Sequence, residues 1–323
     1  MGGLVIQLNS IFNEIGYRTT LKRMDLFEKE MRNESITREK EEINYNFGEY
    51  NDIIKEFVTG FKKEFSEEET NKMIHRLNSL SIKERWNDFN KTIYHIALGY
   101  YDSEKNTIMI EKYRGQDFVE DTKETLMHEL FHMASTKKVG DYSVTGFEIP
   151  GEIGLTLNEG YTDLIAKRTF SNDKEMNINE FLVLGIENIV GKEELKQYFI
   201  NADLKGLIKE LSNYSSREEV IKLLYAMDHY DHVFYNPRLY RSIVQEIAKM
   251  NAEKLYHDYD SGLISKEEFD ISYIKKVSEY KRFRYWDENA RIISNNDEIM
   301  LKDDHQISAT YMATNEKPLT KKL

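Results

Sequence analysis

Apolar residues recur at helical spacing along most of the chain, which predicts a mainly helical protein. In the run Ile53-Ile54-x-x-Phe57-Val58-x-x-Phe61, the apolar side chains fall on one face of an α-helix. Similar patterns predict further helices near residues 178–190, 202–213, 216–229, 237–258 and 265–285. Only 3 prolines occur in 323 residues, so few helix breakers interrupt these elements.

Capping residues support two of these helices. Ser215 is followed three residues later by Glu218, which predicts a capping box at the start of the helix near 216–229. Pro237 occupies the favoured first position of the next helix. From about Asn295 onward the chain is polar, and we expect a loosely held tail.

Two short β-branched runs break the helical pattern between residues 92 and 110. Residues 92–98 and 107–110 have the composition of strands, and Gly99 with residues 102–106 supplies turn chemistry between them. The pattern predicts a β-hairpin whose second strand precedes the next helix. Such a strand at a sheet edge could bind an extended peptide through main-chain hydrogen bonds, and a purely structural hairpin fits equally well. We interpret His95, in the first run, as a packing residue rather than a ligand.

The helix that follows carries His128-Glu129-Leu130-Phe131-His132, an H-E-x-x-H motif. Side chains four residues apart lie on the same face of a helix, so His128 and His132 can bind one Zn²⁺ together. Glu129 then lies close enough to a metal-bound water to act as general base without ligating the metal. The alternative interpretation is a pair of hydrogen-bonded core histidines.

A catalytic zinc ion with two histidine ligands needs a third protein ligand. Metzincins are excluded, because Ser135 and Lys138 stand where that family has Gly and His. Glu159 and Asp163 stand four residues apart on a second predicted helix, so their carboxylates point the same way. One carboxylate could bind the metal while the other orients an imidazole, and an ordinary solvated helix face is the alternative. Other candidates for a third ligand lie in the intervening loop: Asp141, Glu148 and Glu152.

An H-E-x-x-H helix followed by Asn158-Glu159-x-x-Thr162-Asp163 resembles the gluzincins, the thermolysin-like metallopeptidases. The resemblance covers roughly residues 90 to 170 and implies a zincin-like core with one zinc ion per chain. It implies that Glu159 is the third ligand and that Asp163 hydrogen-bonds the far nitrogen of His128. It also implies that Asn158 holds the second helix against the first. The 26 residues that separate the second histidine from Glu159 form a longer loop than in thermolysin.

In gluzincins a downstream His or Tyr commonly stabilises the oxyanion of the tetrahedral intermediate. The resemblance therefore directs attention to a titratable cluster at residues 228–235, where His232 and Tyr235 are the candidates. The alternative is that these residues cap and pack a helix junction.

Composition limits the partners that the chain can have. The 57 acidic and 45 basic residues give a net charge of −12, which argues against a nucleic-acid-binding surface. The absence of cysteine excludes disulfide and thiolate chemistry and fits a reducing compartment. The first residues lack a signal-peptide pattern, and no stretch approaches the roughly eighteen apolar residues of a membrane span. We expect a cytoplasmic protein with no membrane partner; its oligomeric state is not indicated.

Together these observations predict an α+β, predominantly helical fold with a small sheet or hairpin before the H-E-x-x-H helix. The expected regions are a helical 1–90, a zincin-like metal-binding core 91–175, a helical 176–295 and a polar tail 296–323. The expected function is zinc-dependent hydrolysis of a peptide or protein substrate. The alternative is a non-catalytic, metal-stabilised interaction or regulatory protein. A helical scaffold without metal would require both motifs to be accidental.

Overall fold

The structure is a computed structural model that describes eight stretches of the chain. They are residues 16–24, 42–87, 98–113, 119–139, 142–149, 153–170, 176–230 and 237–272. These stretches are mostly helical and include a three-stranded mixed sheet and a two-stranded antiparallel one, as the α+β prediction requires. All of them belong to one compact unit, Met1–Val277. The division into four regions stays a prediction.

The main helices and strands alternate only in the middle of the chain. The helices are α1 (Asn51–Glu64), α2 (Glu67–Asn78), α3 (Val119–Ala134), α4 (Leu155–Phe170), α5 (Ile178–Val190), α6 (Lys192–Ile200), α7 (Leu204–Leu211), α8 (Arg217–His229) and α9 (Pro237–Asp260). The strands are β1 (Ser81–Asn87), β2 (Gly99–Asp102), β3 (Thr107–Tyr113), β4 (Thr136–Val139) and β5 (Tyr142–Thr145). Within the described residues, no helix has the length and apolar character needed to cross a membrane.

The larger sheet differs from the predicted hairpin. Its strand order is β1-β3-β2, with β1 parallel and β2 antiparallel to β3. The strand that precedes the metal-motif helix is therefore central, and β2 is an edge strand instead. The polar sequence of β1 gave no strand signal, because its pairing with β3 is a contact between distant parts of the chain.

Gly99 begins β2, so its predicted place in a turn is wrong. A Cβ at this position would lie 2.6 Å from Thr125 Cγ2 and 3.0 Å from the Met109 carbonyl oxygen. The residue is glycine because β2 passes closely over α3, and not because the chain reverses there. Most of the predicted first strand, including His95, lies outside the described residues.

The helix predictions in the C-terminal half hold, with shifts at the ends, as far as residue 272; the rest of the predicted helix near 265–285 lies outside the described residues. The helix near 178–190 is confirmed as α5, and α9 begins at Pro237 as expected. Helix α6 was not predicted, because it is short and highly charged. The predicted capping box is displaced by one residue: the hydroxyl of Ser216, not Ser215, accepts from the backbone N–H of Glu219.

The core places α3 between a layer of helices and the sheet. Phe57 on α1 meets Phe131 on α3 edge to face, with ring centroids 5.1 Å apart. Leu126 and Leu130 complete a fully buried face of α3. Helix α4 packs against α3 and more extensively against α5. The metal-motif helix is therefore held rigidly on several sides, which fixes the direction of its side chains.

Candidate metal centre

Three potential metal ligands from α3 and α4 converge on one point. His128 Nε2 lies 2.9 Å from His132 Nε2 and 3.1 Å from Glu159 Oε2, and His132 Nε2 lies 3.3 Å from Glu159 Oε1. Two donors bound tetrahedrally to zinc at their usual bond lengths are about 3.3 Å apart. The measured distances are close to this spacing, with His128 and His132 each facing a different oxygen of Glu159, and these three residues could hold a metal ion.

Helical geometry alone brings the two histidines together. His128 and His132 lie one turn apart on α3, with ring centroids 4.6 Å apart, on the side opposite its apolar contacts. The Glu159 side chain comes from α4 and is 38% exposed, whereas His132 is buried. These three residues, here called the donor group, are therefore covered by protein on one side and open to solvent on the other. Such a site leaves room for a further ligand, as catalytic metal sites do.

Asp163 lies behind His128, one turn beyond Glu159 on α4. Its Oδ1 is 2.7 Å from His128 Nδ1, the nitrogen that faces away from the donor group. An ionised carboxylate can only accept, so Nδ1 carries the proton and donates. This fixes the tautomer that leaves Nε2 free to bind a metal. Asp163 therefore orients His128 and does not join the donor group.

Asn158 makes the corresponding contact to the second histidine. Its Nδ2 lies 3.3 Å from His132 Nδ1, and its Oδ1 accepts from the backbone N–H of Phe147 at 3.2 Å. A metal on His132 Nε2 leaves Nδ1 protonated, so Asn158 must then present its oxygen to the ring. Gly146 leaves room for this side chain, because a Cβ there would collide with Asn158 Oδ1.

Glu129 is the buried carboxylate beside the donor group. Burial raises its pKa above the usual value, as does the charge of Glu159, while the charges of His128 and His132 lower it. Hydrogen bonding from the backbone N–H of Tyr101, on β2, also lowers it. Glu129 is not among the potential ligands. Its carboxylate lies near enough to both histidines and to Glu159 to feel their charges.

Electrostatics bind the donor group together without a metal. Burial opposes protonation of His128, but its hydrogen bonds to Asp163 and Glu159 and the charges of Glu129 and Glu159 raise its pKa well above 6.5. Burial would raise the pKa of Glu159, yet the charge of His132 and hydrogen bonds from both histidines hold it far below its usual range. The metal-free site is therefore an ion pair between His128 and Glu159.

Of the rival third ligands, only Glu148 is among the described residues, and it does not enter the donor group. Glu148 lies near enough to Glu159 to feel its charge; burial, then that charge, raises the pKa of Glu148. It nevertheless stands outside the group that could hold a metal. The other two rivals, Asp141 and Glu152, lie outside the described residues.

The cluster at residues 228–235 is described only in part. His232 and Tyr235, the candidates for oxyanion stabilisation, lie outside the described residues. Asp228 is buried, and its carboxylate accepts from the backbone N–H groups of Gly154 and Thr156 at 2.6 and 2.8 Å. It therefore caps the start of α4, which carries Glu159. The described part of the cluster fits the capping interpretation.

Two contributors to the site escaped the sequence analysis. Asp228 caps a helix that begins 73 residues earlier, and the sequence holds no local signal for that pairing. Asn177 donates to Asp163 Oδ2 at 2.8 Å while its own oxygen caps α5. The capping could have been found, because Asn177 followed three residues later by Glu180 precedes an apolar run. No family model, curated protein or solved structure matches this chain, so the site stands on its own geometry.

Proposed function

We propose that this chain is a zinc-dependent peptidase of the gluzincin type, with His128, His132 and Glu159 as the ligands of one zinc ion. The observation that carries the proposal is the convergence of two imidazole nitrogens and the Glu159 carboxylate within 3.3 Å of one another. Imidazole and carboxylate donors suit zinc, and a set of two histidines and one glutamate is typical of zinc peptidases.

The chemistry divides between the metal and Glu129. Bound zinc would supply Lewis acidity, lowering the pKa of a coordinated water and polarising a peptide carbonyl. Glu129 accepts a proton from the attacking water and returns it to the leaving amine. Its raised pKa suits this role, because a base must hold the proton long enough to pass it on. Asp163 keeps His128 in the metal-binding tautomer throughout.

Strand β2 is suited to hold an extended peptide beside the site. The backbone N–H of Glu111 donates to the carbonyl of Leu98 at 2.9 Å, so in this antiparallel pair the amides of Gly99 and Tyr101 point away from β3. Among the described strands, none pairs with that outer edge of β2. The outward amide of Tyr101 already reaches Glu129. A substrate strand added to this edge would therefore run past the general base.

A non-catalytic metal-stabilised interaction or regulatory protein is the competing function. Purely structural zinc sites normally have four protein ligands and need no neighbouring base. The described residues offer three ligands, a partly exposed Glu159 and a buried Glu129. These features favour catalysis over a structural role.

Replacing Glu129 with glutamine separates the two functions. We expect Glu129→Gln to bind zinc like the wild type and to lose peptide hydrolysis by about a hundredfold or more, because no base then accepts the proton. The measurement is cleavage of a mixed peptide library by the metal-loaded protein, with and without chelator. Glu148→Gln removes a partly buried carboxylate outside the donor group and should retain cleavage. A wild type that binds zinc stoichiometrically and cleaves nothing in the library would favour the non-catalytic alternative.

A further inference from the structure

Asn177 lies at the end of a hydrogen-bond chain that starts at the candidate metal ligand His128. The ring donates through Nδ1 to Asp163 Oδ1 at 2.7 Å, and Asp163 Oδ2 accepts from Asn177 Nδ2 at 2.8 Å. Asn177 Oδ1 in turn accepts from the backbone N–H of Glu180 at 2.9 Å. This series of hydrogen bonds therefore connects His128 on α3, through α4, to the first turn of α5.

The orientation of the Asn177 amide is fixed at both ends. A backbone N–H can only donate and an ionised carboxylate can only accept, so the oxygen must face Glu180 and the nitrogen must face Asp163. Only a side chain with both a donor and an acceptor at this separation fills both roles. Serine or aspartate can cap α5 equally well, but neither can replace the donation to Asp163 in the same geometry.

Asp163 needs this second contact because it is partly open to solvent. Its side chain is 34% exposed, and the His128 contact occupies one of its two oxygens. With only one partner, the carboxylate can rotate about its bond to Cβ. With Asn177 bonded to the other oxygen, the carboxylate cannot rotate freely. The position of Oδ1, which accepts from His128, is then fixed.

Two further ion pairs make α5 a stable base for this contact. Lys167 and Arg168 on α4 pair with Glu180 and Glu187 on α5, each with a shortest distance of 2.6 Å. Glu180 is completely buried, so its pair with Lys167 is shielded from water. The first turn of α5 is thus fixed to α4 beside Asp163.

We infer that Asn177 is a positioning residue of the metal centre: through Asp163 it sets the tautomer and direction of His128, in addition to capping α5. This inference rests on the proposed function only in so far as His128 binds a metal. It requires no particular substrate and no hydrolysis. It adds a third helix, α5, to the two that supply the ligands.

Substitutions at Asn177 separate the two roles, because the variants rank differently in zinc affinity and in thermal stability. Asn177→Ser keeps a good cap and loses the donor to Asp163, so zinc affinity should fall about three- to tenfold, less than the 10–100-fold typical of a direct partner of a ligand. Asn177→Asp also keeps the cap but faces Asp163 with a like charge, so it should bind zinc more weakly than Asn177→Ser. Asn177→Ala loses the cap as well and should be the least stable to heat.

The experiment uses the full chain and measures zinc affinity by competition with a chromophoric chelator. The visible spectrum of the cobalt-substituted protein reports coordination geometry, and thermal unfolding reports capping. Ser216→Ala removes the cap of α8 in the same way, without contact to Asp163, and should lower thermal stability while leaving zinc affinity and the cobalt spectrum unchanged.

The expected result is that zinc affinity follows the order wild type, Asn177→Ser, Asn177→Asp, with a changed cobalt spectrum in both variants. Wild-type affinity and spectrum in Asn177→Ser and Asn177→Asp would show that Asn177 is only a helix cap and would overturn the inference. A wild type that binds no zinc would overturn the proposed function and this inference together. Zinc binding without hydrolysis would overturn the peptidase proposal and leave the positioning role standing on the affinity data.

Discussion

At the scale of single residues, hydrogen bonds and opposite charges hold the site together. Asp163 accepts a hydrogen bond from the Nδ1–H of His128, so Nε2 is left for the donor group. Without a metal, Asp163 and Glu159 favour the doubly protonated His128 ring, and Glu159 stays ionised opposite it. A metal ion must displace that proton, because Nε2 cannot bind both.

The pKa shifts predict how zinc affinity changes with pH. The pKa of His128 lies well above 6.5, so its protonated form stabilises the metal-free fold below about pH 6.5, and this stabilisation is lost as pH rises through the raised pKa. The lowered pKa of Glu159 adds stability above about pH 4.5 that is lost only in strong acid. Zinc affinity should therefore rise about tenfold per pH unit for each proton displaced, until His128 has lost its extra proton.

Calorimetric titrations with zinc in buffers of different ionisation enthalpy count the released protons directly. We expect close to one proton per zinc ion near neutral pH, falling towards zero at high pH. Asp163→Asn removes the charge that holds the proton on His128 and should shift the transition to lower pH. A proton count of zero in the wild type at neutral pH would contradict the ion pair between His128 and Glu159.

At the scale of elements, the close passage of β2 over α3 governs where the substrate edge lies. Gly99→Ala places a Cβ 2.6 Å from Thr125 Cγ2, so β2 or α3 must shift. We expect a loss of about 1–3 kcal/mol in unfolding free energy, measured by urea denaturation. The displaced strand should also carry Tyr101 away from Glu129 and lower hydrolysis.

A second substitution tests the cause of that loss. Thr125→Ser removes the methyl group that the new Cβ would meet, so the double variant Gly99→Ala/Thr125→Ser should regain part of the stability. Recovery should be incomplete, since the Met109 carbonyl oxygen still lies 3.0 Å from the added Cβ. If Thr125→Ser gives no rescue, the strain lies elsewhere along β2.

The elements that the sequence predicts are those with a local signal. The stretch that forms α5 is apolar at helical spacing between Asn177 and Gly191, and both histidines of the motif lie within one helical turn. Contacts between distant residues leave no such signal. The parallel pairing of β1 with β3 and the contact of Asp228 with α4 depend on packing of the whole domain.

The candidate site follows the same rule. His128, Glu129, His132, Glu159 and Asp163 occur in two short motifs, so the sequence analysis could propose all five and their roles. It could not propose Asn177, because its partner Asp163 lies on another helix and the amide looks like an ordinary cap. Residue type alone does not separate Glu148 from Glu159; the spacing of Glu159 and Asp163 favours Glu159, and Glu148 lies outside the group that could hold a metal.

At the scale of the whole molecule, a metal in this centre joins α3 to α4 and should stabilise the entire fold. Zinc that binds the folded chain only, at a free concentration about a thousandfold above its dissociation constant, adds about 4 kcal/mol to the unfolding free energy. We expect the thermal midpoint to fall on chelation and to recover on adding zinc. His128→Ala should have a midpoint that does not respond to either treatment. An equal midpoint for the wild type with and without zinc would mean that no ion joins the two helices.

The Asp228 cap has a consequence for the order in which the centre forms during synthesis. A growing polypeptide that has left the ribosome as far as α4 already contains all three donors and the general base. It lacks the carboxylate that anchors the beginning of α4, because Asp228 on α8 follows 58 residues after Phe170, the last residue of α4. The nascent protein should therefore bind zinc poorly until α8 has folded against α4, so the proposed hydrolysis would begin only when most of the domain is in place.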